Sequence, residues 1–324
     1  MLLLAFLLTG PHDADQVIVW LLPVPFLVLM DSLPWREPQG HPGREFENKA
    51  SAILALIAIL AALNVLALGH FVSVLLDPST HQEVWVFLLD LLALRMLGGT
   101  TFCCAVIAPA HELMHRRSRW VRRLSRAMLM LVFADVFYLS HGAGHHRHLG
   151  SKRDPSTARS GETYPLFLKR SLKAQWYLAK EFFPLALRRG VMAQLVLLLS
   201  FTLAFGIPAA MVWVYLSGVA ICLLEAVNYF QHYGLIEGTG FEKHTAWRCD
   251  RGVSFFLFLG LTRHSDHHRR PKATCTELRH LGEGPELPLG YLGTAIWVKN
   301  HSRSYGRMAD RALGLHGAPA TQKV

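Results

Sequence analysis

Four short histidine clusters are the residues in this 324-residue sequence most suited to chemistry. They are His111-Glu112-Leu113-Met114-His115, His141-Gly142-Ala143-Gly144-His145-His146, the single His232, and His264-Ser265-Asp266-His267-His268. Residues three or four apart share one face of a helix, so the histidines of the first and last clusters can point at a common metal ion. The glycines of the second cluster let the backbone bend, which would allow its histidines to converge.

The number of histidines indicates how many metal ions they could bind. The H-E-x-x-H pattern at 111–115 alone fits a zinc protease, another metal site or chance. Together the clusters offer nine imidazoles, whereas a zinc ion takes about four ligands and a catalytic zinc about three from the protein. We therefore predict two metal ions, although imidazole does not choose among iron, copper, nickel and zinc. The alternative is a set of surface or pH-sensing histidines. His148 is expected beside the site or in solvent.

Long apolar segments alternate with the polar stretches of the chain. Hydrophobic residues make up 52% of the sequence and charged residues 17%, and the apolar runs are long enough to cross a bilayer. Gly206-Ile207-Pro208 is a predicted hairpin turn, and 127–139 a predicted interfacial or re-entrant helix. Asp90 and Arg95 interrupt one apolar run, where a charge is often functional. Asp90 lies near the predicted periplasmic end, so the alternative is a structural pair or a side chain that snorkels to the interface. The predicted membrane segments are a short or broken pair within 1–30, then 50–76, 84–110, 191–207 and 209–227.

The distribution of positive charge predicts the orientation of these segments. Lysine and arginine number 33 against 23 acidic residues, a net charge of +10. Six arginines lie within 116–126, whereas Asp77–Glu83 contains no lysine or arginine. By the positive-inside rule the basic loops and the adjoining histidine clusters are cytoplasmic. No nucleic-acid-binding motif accompanies the charge, which points instead to a lipid membrane or an acidic protein partner.

These patterns together define the expected architecture. We predict an all-α membrane protein, a single domain over 1–324 with about six transmembrane helices. A cytoplasmic histidine-rich cap, formed by 111–190 and 228–324, would hold the metal site. All four histidine clusters fall at the cytoplasmic ends of membrane segments, so they can meet at one depth.

The clusters and their neighbours resemble the integral-membrane non-haem diiron family, and most closely its alkane monooxygenase branch. Besides the first cluster, the resemblance rests on Asn228–Leu235, Leu261–His268, Asp154–Glu162 and Leu287–Tyr291.

The sequence departs from the family pattern beside the histidines. Ser140 and Gln231 stand where the family usually has glutamate, and Arg116 where it usually has lysine. The two missing carboxylates weaken the inference of a simple n-alkane substrate. They leave an alkyl-aromatic substrate of the xylene or cymene type open.

The resemblance implies a membrane diiron monooxygenase that uses O2 to hydroxylate a terminal methyl group of an alkane-like substrate. It implies that Glu112, Asp266 and Glu225 accept hydrogen bonds from ligand imidazoles, with Gln231 beside a ligand. For Glu225 the alternative is a helix-end carboxylate at the membrane interface. The implied ligands of two non-haem irons are His111, His115, His141, His145, His146, His232, His264, His267 and His268.

The sequence also indicates what the protein would need from outside. It has no flavin or nicotinamide fingerprint, and its five cysteines form no C-x-x-C pair, so electrons must come from a partner. By resemblance this partner is a rubredoxin or a ferredoxin-type reductase, and the apolar substrate enters from the bilayer. We expect a location in the bacterial inner membrane with the active site on the cytoplasmic side. A lipid desaturase on the same scaffold, a membrane zinc protease and a metal transporter stay open as other functions.

Overall fold

The polypeptide is helical throughout the part of the chain that the structure describes. This structure, a computed structural model, describes residues 1–37, 44–80, 82–236 and 245–315, with side chains of the second range described from residue 53 onward. Within these ranges, extended segments pair only at two isolated bridges, Arg36 with Arg251 and Arg248 with Glu286. The predicted all-α class is therefore confirmed.

Fourteen α-helices lie within the described residues. They are α1 (Leu2–Thr9), α2 (Ala14–Leu21), α3 (Pro23–Ser32), α4 (Arg44–Leu75), α5 (Val84–Thr101), α6 (Ala108–Met114), α7 (Arg119–Leu131), α8 (Asp135–Ser140), α9 (His146–His148), α10 (Tyr164–Phe182), α11 (Pro184–His232), α12 (Gly252–Leu257), α13 (His264–Arg269) and α14 (Tyr291–Ala312). Two π-helical turns, Phe102–Ile107 and His141–His145, and a 3-10 turn, Leu261–Arg263, continue some of these helices.

Four helical stretches of the described chain are long and apolar enough to cross a membrane. They are Ala14–Ser32, Ile53–Leu75, Val84–Met114 and Pro184–His232. The third combines α5, a π-helical turn and α6, and it ends within the first histidine cluster. The fourth ends at His232, so membrane segments deliver two of the histidine clusters directly.

The long helix α11 reverses direction where the sequence predicts a hairpin turn. Gly206 has φ 85° and ψ 167°, a backbone conformation that only glycine adopts readily. The ring centroids of Phe201 and Trp213 are 4.7 Å apart, whereas residues twelve apart in a straight helix would be separated by about 18 Å. The two arms of α11 therefore pack against each other.

The predicted helix 127–139 is two helices. Phe133 has φ 54°, and this left-handed residue separates α7 from α8. The Arg126 guanidinium spans the turn, because its Nε and Nη2 donate to the two Asp135 carboxylate oxygens at 2.7 and 2.9 Å. The turn redirects the chain so that α8 leads straight into the second histidine cluster.

Asp90 forms a structural pair with His12. The pair lies at the end of the third membrane stretch that is farther from the four histidine clusters. Asp90 Oδ1 lies 2.7 Å from His12 Nδ1, and Gln82 Nε2 donates to Asp90 Oδ2 at 2.9 Å. Both members of the pair are buried. Arg95 instead donates to the Tyr215 hydroxyl at 2.9 Å. Asp90 thus joins the loop after α1 to α5, which agrees with the structural alternative.

Candidate metal centre

The structure brings all nine candidate histidines together. Their ligand nitrogens form two groups, and within each group these nitrogens lie within 4.8 Å of one another. The five-histidine group consists of His111, His115, His141, His146 and His267. The four-histidine group consists of His145, His232, His264 and His268. His148 is half-buried and belongs to neither group.

A π-helical turn explains how consecutive histidines reach different groups. The backbone N–H of His146 donates to the carbonyl of His141, five residues earlier, which is the hydrogen bond of a π-helix. This wider turn aligns His141 with His146 in the five-histidine group. In an α-helix His141 would instead align with His145. The π-helical turn directs His145 into the four-histidine group.

The last cluster divides in the same way on an α-helix. His264 and His268 are four residues apart in α13 and share the face towards the four-histidine group. His267 lies about 100° around the helix from His268 and reaches the five-histidine group. One short helix therefore contributes to both groups.

The nitrogens of the five-histidine group converge on a common point. His141 Nε2 lies 3.0 Å from the Nε2 atoms of both His111 and His146. A ring nitrogen carries either one proton or one lone pair, so it cannot satisfy two such neighbours well by hydrogen bonding. Ligands at right angles, each about 2.1 Å from a metal ion, would be about 3.0 Å apart. His115 Nε2 is buried without a hydrogen-bond partner among the described residues, so this group fits a metal ion.

The four-histidine group has the same arrangement. His264 Nε2 lies 3.1 Å from His232 Nε2 and 3.0 Å from His268 Nε2. His145 Nε2 is 3.1 Å from His268 Nε2. On the far side of the rings, His145 Nδ1 lies 3.0 Å from Asp154 Oδ1 and His232 Nδ1 lies 2.9 Å from the carbonyl of Thr245. These two acceptors favour the tautomer that carries its proton on Nδ1 and leaves Nε2 free for a metal ion.

Burial favours the neutral form of five of the candidate histidines, and the neutral imidazole is the form that binds metal ions. Desolvation, followed by the charge of neighbouring histidines, lowers the pKa of His115 to about 4 and of His146 to about 2. The same causes hold the pKa of His141, His267 and His268 well below the usual value. A lowered pKa reduces the competition of protons with a metal ion for these lone pairs.

Asp154 is the carboxylate that holds a candidate ligand, and the sequence patterns did not single it out for that role. It is 2% exposed. Besides His145, it accepts hydrogen bonds from Thr157 Oγ1 at 2.6 Å and from the backbone N–H of Ser156 at 2.9 Å. Its place in the Asp154–Glu162 segment, which carries part of the family resemblance, was the available signal.

Glu112 and Asp266 do not have the predicted role. Glu112 Oε1 accepts from Arg116 Nη2 at 2.6 Å and from the backbone N–H of Cys275 at 3.0 Å. Asp266 accepts from Arg270 and from the backbone N–H of Arg279. Among the described residues neither carboxylate bonds to an imidazole. Each follows or precedes a histidine on a helix and so points to another face, where it fastens the cluster to the 275–279 loop.

Glu225 is also a packing residue. It is fully buried, and it accepts from Ser171 Oγ and Gln175 Nε2, both at 2.7 Å. These bonds join α11 to α10. The sequence predicted either an acceptor for an imidazole N–H or a helix-end carboxylate at the membrane interface. Among the described residues Glu225 bonds to no imidazole, and its full burial excludes the interfacial role.

The two positions that depart from the family pattern are buried. Gln231 and Ser140 are each 1% exposed. Gln231 Nε2 donates to the Tyr291 hydroxyl at 2.6 Å, and Ser140 Oγ donates to the carbonyl of Val136 at 2.9 Å. Neither side chain faces solvent, so a substitution at either position would not be silent merely because the position is exposed.

A narrow apolar cavity adjoins both histidine groups. It is bounded by His111 and His141 of one group and by His264 of the other, and its volume is about 20 Å3. Such a space admits a water molecule or one small group. Its other walls are almost entirely apolar and come from the third and fourth membrane stretches, α8 and the 258–261 segment: Cys103, Ile107, Ala108, Phe137, Leu224, Val227, Asn228, Gln231, Phe258 and Leu261.

Comparison with known proteins places this histidine arrangement in a family. The family model described as fatty acid desaturase matches residues 83–294, a range that contains all nine histidines. The chain belongs to the fatty acid desaturase family. The resemblance drawn from the histidine clusters is thus confirmed at the level of the family.

Individual members of the family are similar over much of the chain. Alkane 1-monooxygenase 1 of Pseudomonas aeruginosa is 30% identical over 297 residues, covering 83% of this chain and 75% of that protein. Alkane 1-monooxygenase 2 of the same organism is 31% identical over 61% of this chain and 58% of its own length. The xylene/toluene monooxygenase hydroxylase component of Pseudomonas putida is 27% identical over 61% of this chain and 57% of its own length.

Proposed function

We propose that the protein is a membrane diiron monooxygenase that hydroxylates a methyl group of an apolar, alkane-like substrate. The observation that carries this proposal is the pairing of nine imidazoles, six buried and three half-buried, in two groups with an apolar cavity against both. Two bound irons would supply what no side chain can, the activation of O2: with two electrons from an external donor and two protons, one oxygen atom would enter a C–H bond and the other would leave as water. The alkane 1-monooxygenases among the relatives support this reading.

The residues of the chain hold and shield the reacting centre. One group would hold each iron, with Asp154 and the Thr245 carbonyl fixing the tautomers of His145 and His232. The apolar cavity walls exclude water from the substrate side. Because the cavity has room for one small group, a methyl end fits better than the middle of a chain, which supports terminal hydroxylation.

The substrate and the electrons would arrive from opposite sides. The third and fourth membrane stretches line the cavity, so an apolar molecule dissolved in the bilayer can approach between them. An open depression lies over His115 and His146, and Arg117, Arg122 and Lys272 are at its rim. This basic mouth supports an acidic electron donor of the rubredoxin or ferredoxin type, with the protein in the inner membrane and the mouth facing the cytoplasm.

An alkyl-aromatic methyl group is the second candidate substrate. Buried Gln231 lines the cavity, and the relatives include the xylene/toluene monooxygenase hydroxylase component. An amide in place of a carboxylate removes negative charge near the centre and would change its tuning.

The test is product analysis with a complete electron supply. Membranes containing the protein receive a surrogate rubredoxin and its reductase under 18O2, with octane, p-xylene and palmitate offered in parallel. We expect a terminal alcohol carrying one 18O atom from octane or p-xylene. An alkene product would identify a desaturase instead, and zinc without iron in the purified protein would favour the protease.

A further inference from the structure

A second, larger cavity lies beside the metal centre without containing any of the nine histidines. Its volume is about 570 Å3. The start of the second membrane stretch, the end of α6, α7 and the 272–277 loop enclose it. Ala55, Val121 and Leu124 lie on its apolar side, and Arg117 and Lys272 lie on its polar side.

The position of the cavity corresponds to the lipid headgroup layer. Ala55 lies six residues after Lys49, the last charged residue before the apolar run of α4, so it lies within about two helical turns of the end of the hydrocarbon core. Ile53 and Leu56 on either side are 48% and 54% exposed, as expected for side chains that face lipid. The cavity therefore opens at the depth where phosphate groups meet acyl chains.

The polar end of the cavity carries an excess of positive charge, because Arg116, Arg117 and Lys272 line it together with one carboxylate, Glu277. Arg116 is paired with Glu112 at 2.6 Å, and Glu277 accepts from the backbone N–H of Thr274 at 2.7 Å. Arg117 and Lys272 have no ion-pair partner in the described part of the chain, and both are exposed. Two free cations beside an apolar wall complement an anionic headgroup that continues into an acyl chain.

Helix α7, which forms one wall, has the character of an interfacial helix. It carries Arg119, Arg122 and Arg123 near its start, and Trp120 is 74% exposed. The Arg123 guanidinium lies 4.6 Å from the centroid of the Trp120 ring. Arginine and an exposed tryptophan on one helix are typical of helices lying in the membrane interface. This independent feature places the cavity against the membrane surface.

We propose that this cavity binds the phosphodiester headgroup of an anionic glycerophospholipid. Arg117 and Lys272 contact the phosphate, and Ala55, Val121 and Leu124 contact the start of an acyl chain. The site requires neither iron nor turnover; Arg117 and Lys272 also line the basic mouth over His115 and His146, so a bound lipid and the electron donor of the proposed function would share these two cations. Since Arg116 and Arg117 directly follow His115, a bound lipid braces the end of the first histidine cluster.

The experiment measures retained lipid directly. The full chain is placed in nanodiscs of equal parts phosphatidylglycerol and phosphatidylcholine, released, and its bound lipid is counted by native mass spectrometry. The wild type should retain phosphatidylglycerol preferentially. The double variant R117Q/K272Q should lose about fivefold in affinity for each cation removed. The variant A55W, which changes no charge, should also lose the lipid by filling the cavity.

Matched controls separate a site from general membrane electrostatics. The exposed pair Arg188 and Arg189 loses the same charge in R188Q/R189Q, and A62W adds the same bulk at another exposed alanine of α4. Both controls should retain phosphatidylglycerol as the wild type does. Equal loss in a control, no preference over phosphatidylcholine, or displacement of the lipid by millimolar inorganic phosphate would each overturn the proposal.

Discussion

At the scale of single residues, hydrogen-bond partners beyond the histidines decide how the candidate ligands are held. Asp154 contacts His145 directly, whereas Asp266, also an acid beside a histidine, bonds to arginine side chain and backbone instead. Proximity in sequence had suggested Asp266 as the acceptor for a ligand imidazole, whereas in the structure the acceptor is Asp154. The difference arises because adjacent residues on a helix point in different directions, so Asp266 faces away from the imidazole of His267. Asp154 lies in a loop and reaches His145 from there.

Asp154→Asn should weaken the metal centre. The neutral amide is a poorer acceptor for His145 Nδ1, so we expect iron content to fall and turnover to drop about 10- to 100-fold. Iron per chain and the rate with a surrogate donor measure the effect. Glu162→Gln, which removes a carboxylate from the same segment that bonds to Arg170 rather than to histidine, is the control. An equal loss of iron and of rate in both variants would show that Asp154 contributes only to packing and not to holding His145.

Gln231→Glu should alter reactivity without loss of iron. The new carboxylate can accept from the Tyr291 hydroxyl, which is 2.6 Å from the amide nitrogen, so the fold should tolerate it. The added negative charge lies beside His232 and at the cavity wall, and it should change the ratio of octane to xylene turnover. Tyr291→Phe, which removes the bond without adding charge, serves for comparison. Identical ratios of octane to xylene turnover in the wild type and in Gln231→Glu would show that Gln231 does not influence substrate preference.

At the scale of elements, the two glycines of the second cluster have different roles. The sequence suggested that both allow bending, yet neither has a positive φ. A Cβ atom on Gly144 would lie 2.6 Å from Leu178 Cδ1, whereas one on Gly142 would meet nothing within 4 Å. Close packing of the π-helical turn against α10 therefore explains Gly144, and flexibility is not required.

Gly144→Ala should consequently be less stable than Gly142→Ala by about 1 kcal/mol, the lower end for overpacking, because both variants gain helix propensity but only the variant at position 144 must displace the end of the Leu178 side chain. Gly142→Ala should be neutral or slightly stabilising. Thermal unfolding of the two variants in one detergent compares them. A lower melting temperature for Gly142→Ala than for Gly144→Ala would contradict the packing account.

The sequence predicted elements well where a local signal exists. The turn at Gly206 and the apolar stretches around 53–75 and 84–114 follow from composition and from glycine and proline. The π-helical turn at 141–145 and the division of the histidines into five and four had no such signal. They depend on contacts between elements that are far apart in sequence. Helix α13, for example, contributes histidines to both groups. Helix α14 was missed as well, because it lies in a stretch that the sequence patterns describe only as polar.

At the scale of the whole molecule, the orientation in the membrane follows from charge. The loop at 77–83 has no lysine or arginine, and it lies at the end of the membrane stretches remote from the histidines. A reporter within Asp77–Glu83 should therefore read periplasmic, and one after Leu235 cytoplasmic. The reverse pattern would separate the basic loops from the cytoplasm and invalidate the proposed route for electrons.

The two histidine groups make the account of the metal centre directly testable. His145 and His146 are neighbours in sequence but belong to different groups, so each variant should affect a different metal ion. Both are buried or half-buried at the centre, and alanine at either position changes the same number of atoms.

Iron stoichiometry of the purified protein is the most direct test. We predict about two irons per chain in the wild type, since nine imidazoles exceed what one ion takes. His145→Ala leaves three histidines in its group and should hold about one iron, whereas His146→Ala leaves four in its group and should hold between about one and two, with turnover abolished in both. His148→Ala, outside both groups, should keep about two. A wild-type protein that holds a single iron, or zinc alone, would contradict the diiron centre.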